Sequence, residues 1–351
     1  MINNLTIQYN SLTHYKNIFD NNDDPKKMEQ LVWMHEQNLL HKSYYSIFVD
    51  EASNTPAALY AVFPVVFKKF NEKITAVQSI DTITDINYRG QGLFKKLAID
   101  CYNNAKADGI EFVYGFPNAN SAPGFFKSLG WKPIAEVPFL IKPINLLYPL
   151  QYKLKKKFPF QIKLNLGLKW MLGNKAKKYQ MAEMPMFNDT YNELWQKYAT
   201  TFSIGVNRDA AYMNWRISNN PTQKYIVQSF SINNKLVAVF ILSIKEEKHQ
   251  GKIGYVIDTI FDPAYETDVP HLFNAAIKKN FYSAGVDVVL AWCFPHSNNY
   301  KQYRANGFYN LPQKLQPIKL FFGANNFNEK NNETFFDKKN WYISYADSDT
   351  V

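Results

Sequence analysis

The tetrapeptide Ile80-Asp81-Thr82-Ile83 returns as Ile257-Asp258-Thr259-Ile260, 177 positions further along the chain. Two more matches follow in the same order at nearly the same spacing. Phe116-Pro117 pairs with Phe294-Pro295, and Leu129-Gly130-Trp131 with Asn306-Gly307-Phe308. Each half also sets a glycine, Gly109 or Gly285, ahead of a β-rich run. One repeated tetrapeptide arises easily by chance, whereas three matches in register do not. The chain reads as an internal duplication whose two halves share one fold. Its 351 residues are enough for two domains of ordinary size.

Side-chain periodicity fills in that fold. In the first half, residues 25–37 carry a helical pattern, and 44–49, 57–67 and 75–85 are rich in β-branched and aromatic residues and read as strands. A glycine turn precedes a helix over 92–105, in which Leu93, Phe94, Leu97, Ala98, Cys101 and Ala105 form one apolar stripe. A buried strand over 110–116 and a short helix over 123–129, stopped by Gly130, complete the half. The second half repeats the series with strands at 225–231, 236–245 and 252–261, a helix over 269–282, a strand over 286–294 and a helix over 298–305. The expected class is α/β (α+β): two domains, each a mixed central sheet flanked by helices. The expected division is a domain over 1–140, a basic amphipathic linker over 141–180 and a second domain over 181–351.

Charge is concentrated in that linker. The net charge is +10, and residues 141–180 hold ten lysines (142, 153, 155, 156, 157, 163, 169, 175, 177 and 178) and no acid, so the rest of the chain is balanced. The lysines alternate with Leu146, Leu150, Tyr152, Leu154, Phe160 and Trp170 among others, a pattern suited to anionic lipid. The opposite expectation is that these apolar residues pack inside a connector. Neither Cys101 nor Cys293 has metal-ligand spacing, and no run of apolar residues approaches the roughly 20 that a spanning helix needs. No signal peptide, metal or nucleic-acid partner is expected. A cytoplasmic location is expected, with peripheral contact at the inner membrane face as an extension.

Chemistry points to Asn87-Tyr88-Arg89-Gly90-Gln91-Gly92-Leu93-Phe94, between a strand and a helix. Gly90 and Gly92 permit a tight turn and close backbone approach, and the amides that open the helix have no partner within it. Together they form an anion site suited to a pyrophosphate. The corresponding stretch of the second half, Asp262-Pro263-Ala264-Tyr265-Glu266-Thr267-Asp268-Val269, has no glycine and three carboxylates. One cofactor site per chain is therefore expected.

These residues resemble the CoA-pyrophosphate loop of the GNAT N-acyltransferase superfamily, with Phe94 at the last small position. Residues 115–121 and 126–131 resemble the family's fifth-strand and fourth-helix region. The whole is similar to tandem GNAT proteins of bacterial polysaccharide-biosynthesis clusters. The resemblance implies acetyl-CoA or another acyl-CoA as co-substrate. It assigns the acyl and pantetheine arm to backbone near Thr82, Ile83 and Thr84, the pyrophosphate to Arg89, Gly90, Gln91, Gly92, Leu93 and Phe94, and further pantetheine contacts to Asn118 or Asn120. It implies acyl transfer to an amine, with an amino-sugar precursor or a lipid-linked glycan as acceptor. A tyrosine often serves this family as acid four residues before the last glycine. Here that position is Phe126, with Tyr303 its counterpart in the second half, which leaves Tyr114 or water as the acid.

Asp81 at the strand end is the candidate base. Uniform alternation sets Asp81, Ile83 and Asp85 on one strand face and Thr82 and Thr84 on the other. Candidate acceptor contacts are His296 after the second half's central strand, Arg216 on a helical face with Arg208, Tyr212 and Trp215, and Asp347 or Asp349 beyond a C-terminal run read as a strand. Two other functions fit the same scaffold: a non-catalytic glycan- or lipid-binding protein, and an enzyme like the peptidoglycan aminoacyltransferases, which also pair two such halves.

Overall fold

The computed structural model describes residues 5–164, 175–247, 251–328 and 332–348. Asp349 and, in the basic segment, Leu166, Leu168, Lys169, Trp170, Met171 and Leu172 lie outside the described residues. Along the chain the elements run β1 (Leu5–Gln8), α1 (Leu12–Asp20), α2 (Met28–His35), β2 (Tyr44–Asp50), β3 (Thr55–Lys69), β4 (Glu72–Thr84), α3 (Leu93–Ala107), β5 (Phe112–Gly115), α4 (Ala122–Ser128) and β6 (Lys132–Glu136). They continue as β7 (Phe139–Pro143), α5 (Tyr148–Leu154), β8 (Gln180–Glu183), α6 (Asp189–Tyr198), β9 (Ile204–Val206), α7 (Ala210–Met213), β10 (Ile226–Ile232), β11 (Lys235–Glu247) and β12 (Gly251–Phe261). The last are α8 (Val269–Ile277), β13 (Val288–Trp292), α9 (Asn298–Ala305), β14 (Tyr309–Asn310), β15 (Phe321–Asn326) and α10 (Asn332–Phe336).

These elements form two compact units. The first comprises Met1–Glu136, Asn220–Thr222 and Ile318–Asn340, and the second Val137–Asn219, Gln223–Pro317 and Trp341–Val351. The first unit's sheet runs β1-β2-β3-β4-β5-β15-β6, and the second's runs β8-β10-β11-β12-β13-β7-β14. In each sheet one pair is parallel, β4 with β5 and β12 with β13, as a β-α-β crossover requires. The sixth place of each sheet holds a strand from the other half of the sequence, β15 in the first unit and β7 in the second. The basic segment thus opens with a sheet strand. Lys142, in β7, is buried and donates to the Asn306 carbonyl at 2.7 Å.

The duplication extends to an irregularity. Tyr60 faces Thr82 while Val62 faces Ser79, so β4 carries one extra residue between them. Ile241 faces Asp258 while Leu242 faces Val256, the same insertion in β12. Such a bulge breaks the two-residue period. Ile80 and Ile83, three apart, accordingly pack against one core cluster with Tyr15, Ile18 and Phe19 of α1. The bulge shifts Ile80, whereas Asp81, Ile83 and Asp85 share the face toward α1 as expected: Asp81 bonds to Tyr15, Ile83 packs on the same cluster and Asp85 accepts from Asn22.

The apolar stripe of α3 packs as expected: Leu93, Leu97, Ala98, Cys101 and Ala105 join Val77 and Val113 in the core. Two expectations are corrected. The run after Trp341 is not a strand. Beyond a single bridge between Ile204 and Trp341, it ends in a 3-10 turn, Tyr345–Asp347, because Ser344 and Asp347 cap each other's backbone. Arg208 shares no helical face with Tyr212, since Asp209 caps α7 and Arg208 precedes it.

Candidate active site

The turn from β4 into α3 has the geometry of an anion cradle. Gly90 and Gly92 adopt φ of +80° and +71°, a backbone region that other residues enter only with strain. No atom lies within 4 Å of where a Cβ would stand on either glycine, so the turn faces open space. The first bond within the helix runs from Lys96 N to Gly92 O at 3.3 Å, and no side chain caps the helix start. The amides of Leu93, Phe94 and Lys95 therefore point outward with the positive end of a 15-residue helix. Arg89 is exposed and donates through Nε to the Thr84 carbonyl at 3.2 Å, tying the turn to the end of β4. Gln91 Oε1 is buried with no hydrogen-bond donor among the described residues. Phe94 stacks edge-on against Tyr60 and Phe125, so its bulk turns into the core and leaves its amide available.

Beside this cradle two strands separate. Parallel pairing of β4 with β5 ends at Gln78 and Tyr114, although β4 continues to Thr84. A Cβ at Gly115 would stand 3.1 Å from the Ser79 carbonyl oxygen, so a side chain there would crowd β4 where the strands begin to part. A chain of hydroxyls ends there. The Trp131 indole donates to Tyr102 at 2.9 Å, Tyr102 and Tyr60 share a bond of 2.7 Å, and Tyr60 donates to Ser79 at 2.9 Å. Burial, with Tyr102 alongside, pushes the Tyr60 phenol far above its ordinary range, so it keeps its proton. Sequence reasoning missed Tyr60, Tyr102 and Ser79, because no local pattern marks a network assembled from β3, β4, α3 and the turn before β6.

The other candidates of the first unit are engaged in packing or capping. Asp81 is buried, and accepts from Tyr15 at 2.7 Å and from Lys26 at 2.9 Å. His35 stacks on Tyr15 at 4.9 Å, and burial lowers its pKa to about 4 despite the pull of Asp81. Tyr15, Lys26 and His35 also escaped the sequence reading. Tyr114 is only 1% exposed, and its hydroxyl donates to Gln78 at 3.0 Å within the core. Phe126 covers Gly323, where a Cβ would stand 2.7 Å from its ring. Asn118 Oδ1 accepts from the amides of Asn120 at 2.9 Å and Ser121 at 3.0 Å, which shapes the entry to α4, while Asn120 is exposed.

The remaining candidates belong to the second unit and hold its structure together. The Arg216 guanidinium donates to the carbonyls of Ala346 and Ser348. Asp347 pairs with Arg208 at 2.6 Å and also accepts from the Ser344 amide. Arg208 is fully buried, and its other arm meets Asp258 at 2.5 Å, the counterpart of Asp81. His296 is exposed, stacks on Phe294 and meets the Trp341 carbonyl at 3.2 Å.

The second unit's helix start has no side-chain cap either, but a carboxylate and a proline, Asp268 and Pro270, stand there in place of the glycine turn. Asp268, preceding α8, accepts from Tyr179 at 2.6 Å and pairs with Lys178 at 2.8 Å. These bonds hold its carboxyl below the usual range. Asp262 pairs with Lys235 at 2.8 Å, and Glu266 with Lys301 at 3.7 Å. The three carboxylates expected to repel an anion are each neutralised by a lysine, and together they fill the place of the glycine turn.

Residues 10–134 match the family model described as the acetyltransferase (GNAT) domain. No curated protein matches the chain. Among solved structures, Saccharomyces cerevisiae N-myristoyltransferase with bound myristoyl-CoA is similar at 12% identity and TM-score 0.63, over 94% of this chain and 80% of that one. A GCN5-related N-acetyltransferase from Anabaena variabilis is similar at 13% identity and TM-score 0.61, over 92% of this chain and 73% of that one. At such identities the likeness is one of fold. The family match falls on the unit that holds the open helix start and the parted strands, and over those residues the chain carries a GNAT acyltransferase domain.

Proposed function

We propose that the first unit binds one acyl-CoA and transfers its acyl group to an amine. The open, glycine-turned N-terminus of α3 beside the parted β4 and β5 carries this reading. The pyrophosphate would sit on the amides of Leu93, Phe94 and Lys95, with Arg89 adding charge. The pantetheine arm would run along the edge of β4 that β5 leaves beyond Gln78, toward Thr82, Ile83 and Thr84. Amide donors on that edge would polarise the thioester carbonyl as the amine attacks it. The C–S bond then breaks, and the thiolate leaves with the sulfur's electron pair. We assign the proton it takes up to Ser79, backed by Tyr60, since Phe126 cannot supply one and the Tyr114 hydroxyl is bonded to Gln78. Both carboxylate oxygens of Asp81 are occupied by Tyr15 and Lys26, which favours water as the acceptor of the amine's proton.

Acetyl as the acyl group and an amino-sugar precursor of a surface polysaccharide as acceptor rest on the resemblance to tandem GNAT proteins. A long acyl chain is the rival donor, because the similar yeast enzyme is one with myristoyl-CoA bound. Thiol release from acetyl-CoA and from myristoyl-CoA, measured against amino sugars and simple amines, separates the readings. Faster release from acetyl-CoA with an amino sugar is the expected result. CoA binding with no thiol release from either donor would instead favour a non-catalytic scaffold, the reading to which Phe126 gives weight.

A further inference from the structure

Residues 145–163 of the second unit form a loop that is polar inside and apolar outside. Its ends are joined by Leu146 N to Ile162 O at 2.9 Å and Leu164 N to Ile144 O at 2.6 Å. Asn145 and Gln151 are buried within it. Asn145 Oδ1 accepts from the amides of Leu147 and Ile162, and Gln151 Oε1 from that of Phe158. The loop is pinned to the unit through Asp287, which accepts from Asn145 at 2.6 Å, Gln161 at 2.9 Å and the Lys252 amide at 2.8 Å. The large apolar side chains face outward: Leu146, Leu150, Tyr152, Leu154, Phe160 and Ile162 are each 45–60% exposed. This reverses the usual partition of a surface loop, and so large an exposed apolar display marks an interaction site.

Its surroundings choose the partner. Lys153, Lys155, Lys156 and Lys163 are exposed among these apolar tips, and residues 141–180 contain no acid. Lys157 is engaged by Glu246 at 2.9 Å. At the root of the loop lies a cavity of about 350 Å³ whose lining includes Gln151, Lys157, Phe160, Gln161, Lys163 and Asp287. The Gln151 Nε2 donor is buried there without an acceptor among the described residues. Lys163 and the Gln151 donor suit a phosphate, with Lys157 shared between the cavity and Glu246, and the Asp287 charge below them is covered by its three donors.

We propose that this loop docks the protein on a phospholipid surface bearing anionic headgroups. Leu150, Leu154 and Phe160 enter the interfacial layer, Lys153, Lys155 and Lys156 meet headgroup phosphates, and one phosphate occupies the cavity. Fixed hydrogen bonds hold the loop in this form, so docking requires little ordering of the chain. The proposal does not depend on the acyl-transfer reading.

Vesicle co-sedimentation of the full chain tests it. The protein should pellet with phosphatidylglycerol-containing vesicles and not with pure phosphatidylcholine, and less so as salt rises. Replacing Lys153, Lys155 and Lys156 by Gln should weaken binding by about fivefold per lysine, on the order of a hundredfold together. Leu154→Asp with Phe160→Asp should abolish pelleting without moving the unfolding midpoint, since both side chains are exposed. Equal pelleting with neutral vesicles, none with either, or wild-type pelleting of the Asp double variant would overturn the proposal. So would a wild-type dimer that the same double variant dissolves, because the patch would then belong to a second copy of the chain.

Discussion

The two copies of the Ile-Asp-Thr-Ile strand carry the same bulge and lead to helices with opposite beginnings. After Asp81 the chain turns through Gly90 and Gly92 and leaves the amides of α3 open. After Asp258 it turns through Pro263–Tyr265, and the carboxylate of Asp268, held by Tyr179 and Lys178, stands at the start of α8. The aspartates diverge too. Asp81 is tied to one lysine and one tyrosine near the surface, whereas Asp258 shares a fully buried arginine with Asp347 and accepts from Tyr342. A helix terminus left free for a ligand has to be left unsatisfied by the protein itself. In this duplicated fold one copy keeps its terminus clear of carboxylates, and the other sets Asp268 and Pro270 there and turns its strand aspartate into internal structure.

The strongest way to break this contrast is Arg208→Leu. It would leave Asp258 and Asp347 buried without their cation, and should lower unfolding stability by about 3–5 kcal/mol. Lys26→Leu, the matching change in the first unit, should cost about 1 kcal/mol or less, because that pair is partly exposed. Equal losses in denaturant unfolding would remove the distinction between the aspartates.

His35 sharpens the contrast through pH. It is buried uncharged beside the Asp81 cluster, with its pKa lowered from 6.5 to about 4. The unfolded chain therefore binds more protons than the folded one between these values. The stability tied to neutral His35 is complete above pH 6.5 and falls away as pH drops toward 4. The loss should be on the order of 3 kcal/mol across that window. His35→Gln should flatten this part of the stability profile relative to wild type; parallel profiles would contradict the assignment.

The smallest expected effect is that of Asp268→Ala. Loss of its bonds to Lys178 and Tyr179 should lower stability by about 1 kcal/mol. It should create no second CoA site, because Pro270 and the lysine-paired Asp262 and Glu266 remain. A second binding event in this variant would mean that Asp268 alone closes the second copy.

Local features were the legible ones. The glycine turn at Gly90 and Gly92, the helical stripe from Leu93 to Ala105 and the α9 helix at Asn298–Ala305 follow from neighbours a few residues apart. The placement of β15 between β5 and β6 was not legible. The run Phe321–Asn326 has no two-residue period to mark a strand, and nothing local names a partner some 200 residues away. The bulge at Ile80 was hidden as well, since an extra residue leaves no mark on composition, and with it the packing of Ile80 beside Ile83 on one cluster. The roles given to Arg216 and Asp347 drew on charge alone. Whether a charge meets a ligand or a buried partner depends on long-range packing, and here Ala346, Ser348 and Arg208 were the partners.

The central claim is one CoA site per chain, at the start of α3. Isothermal titration of CoA into the full chain tests it most directly, with Gly92→Asn and Gly92→Asp alongside. Both variants accept positive φ better than most residues, and their Cβ would enter open space. Only the aspartate brings charge against the pyrophosphate. The expected result is a stoichiometry of one, a modest loss for Gly92→Asn and a loss of about a hundredfold or more for Gly92→Asp. Two equivalent sites, or wild-type affinity in Gly92→Asp, would contradict the account.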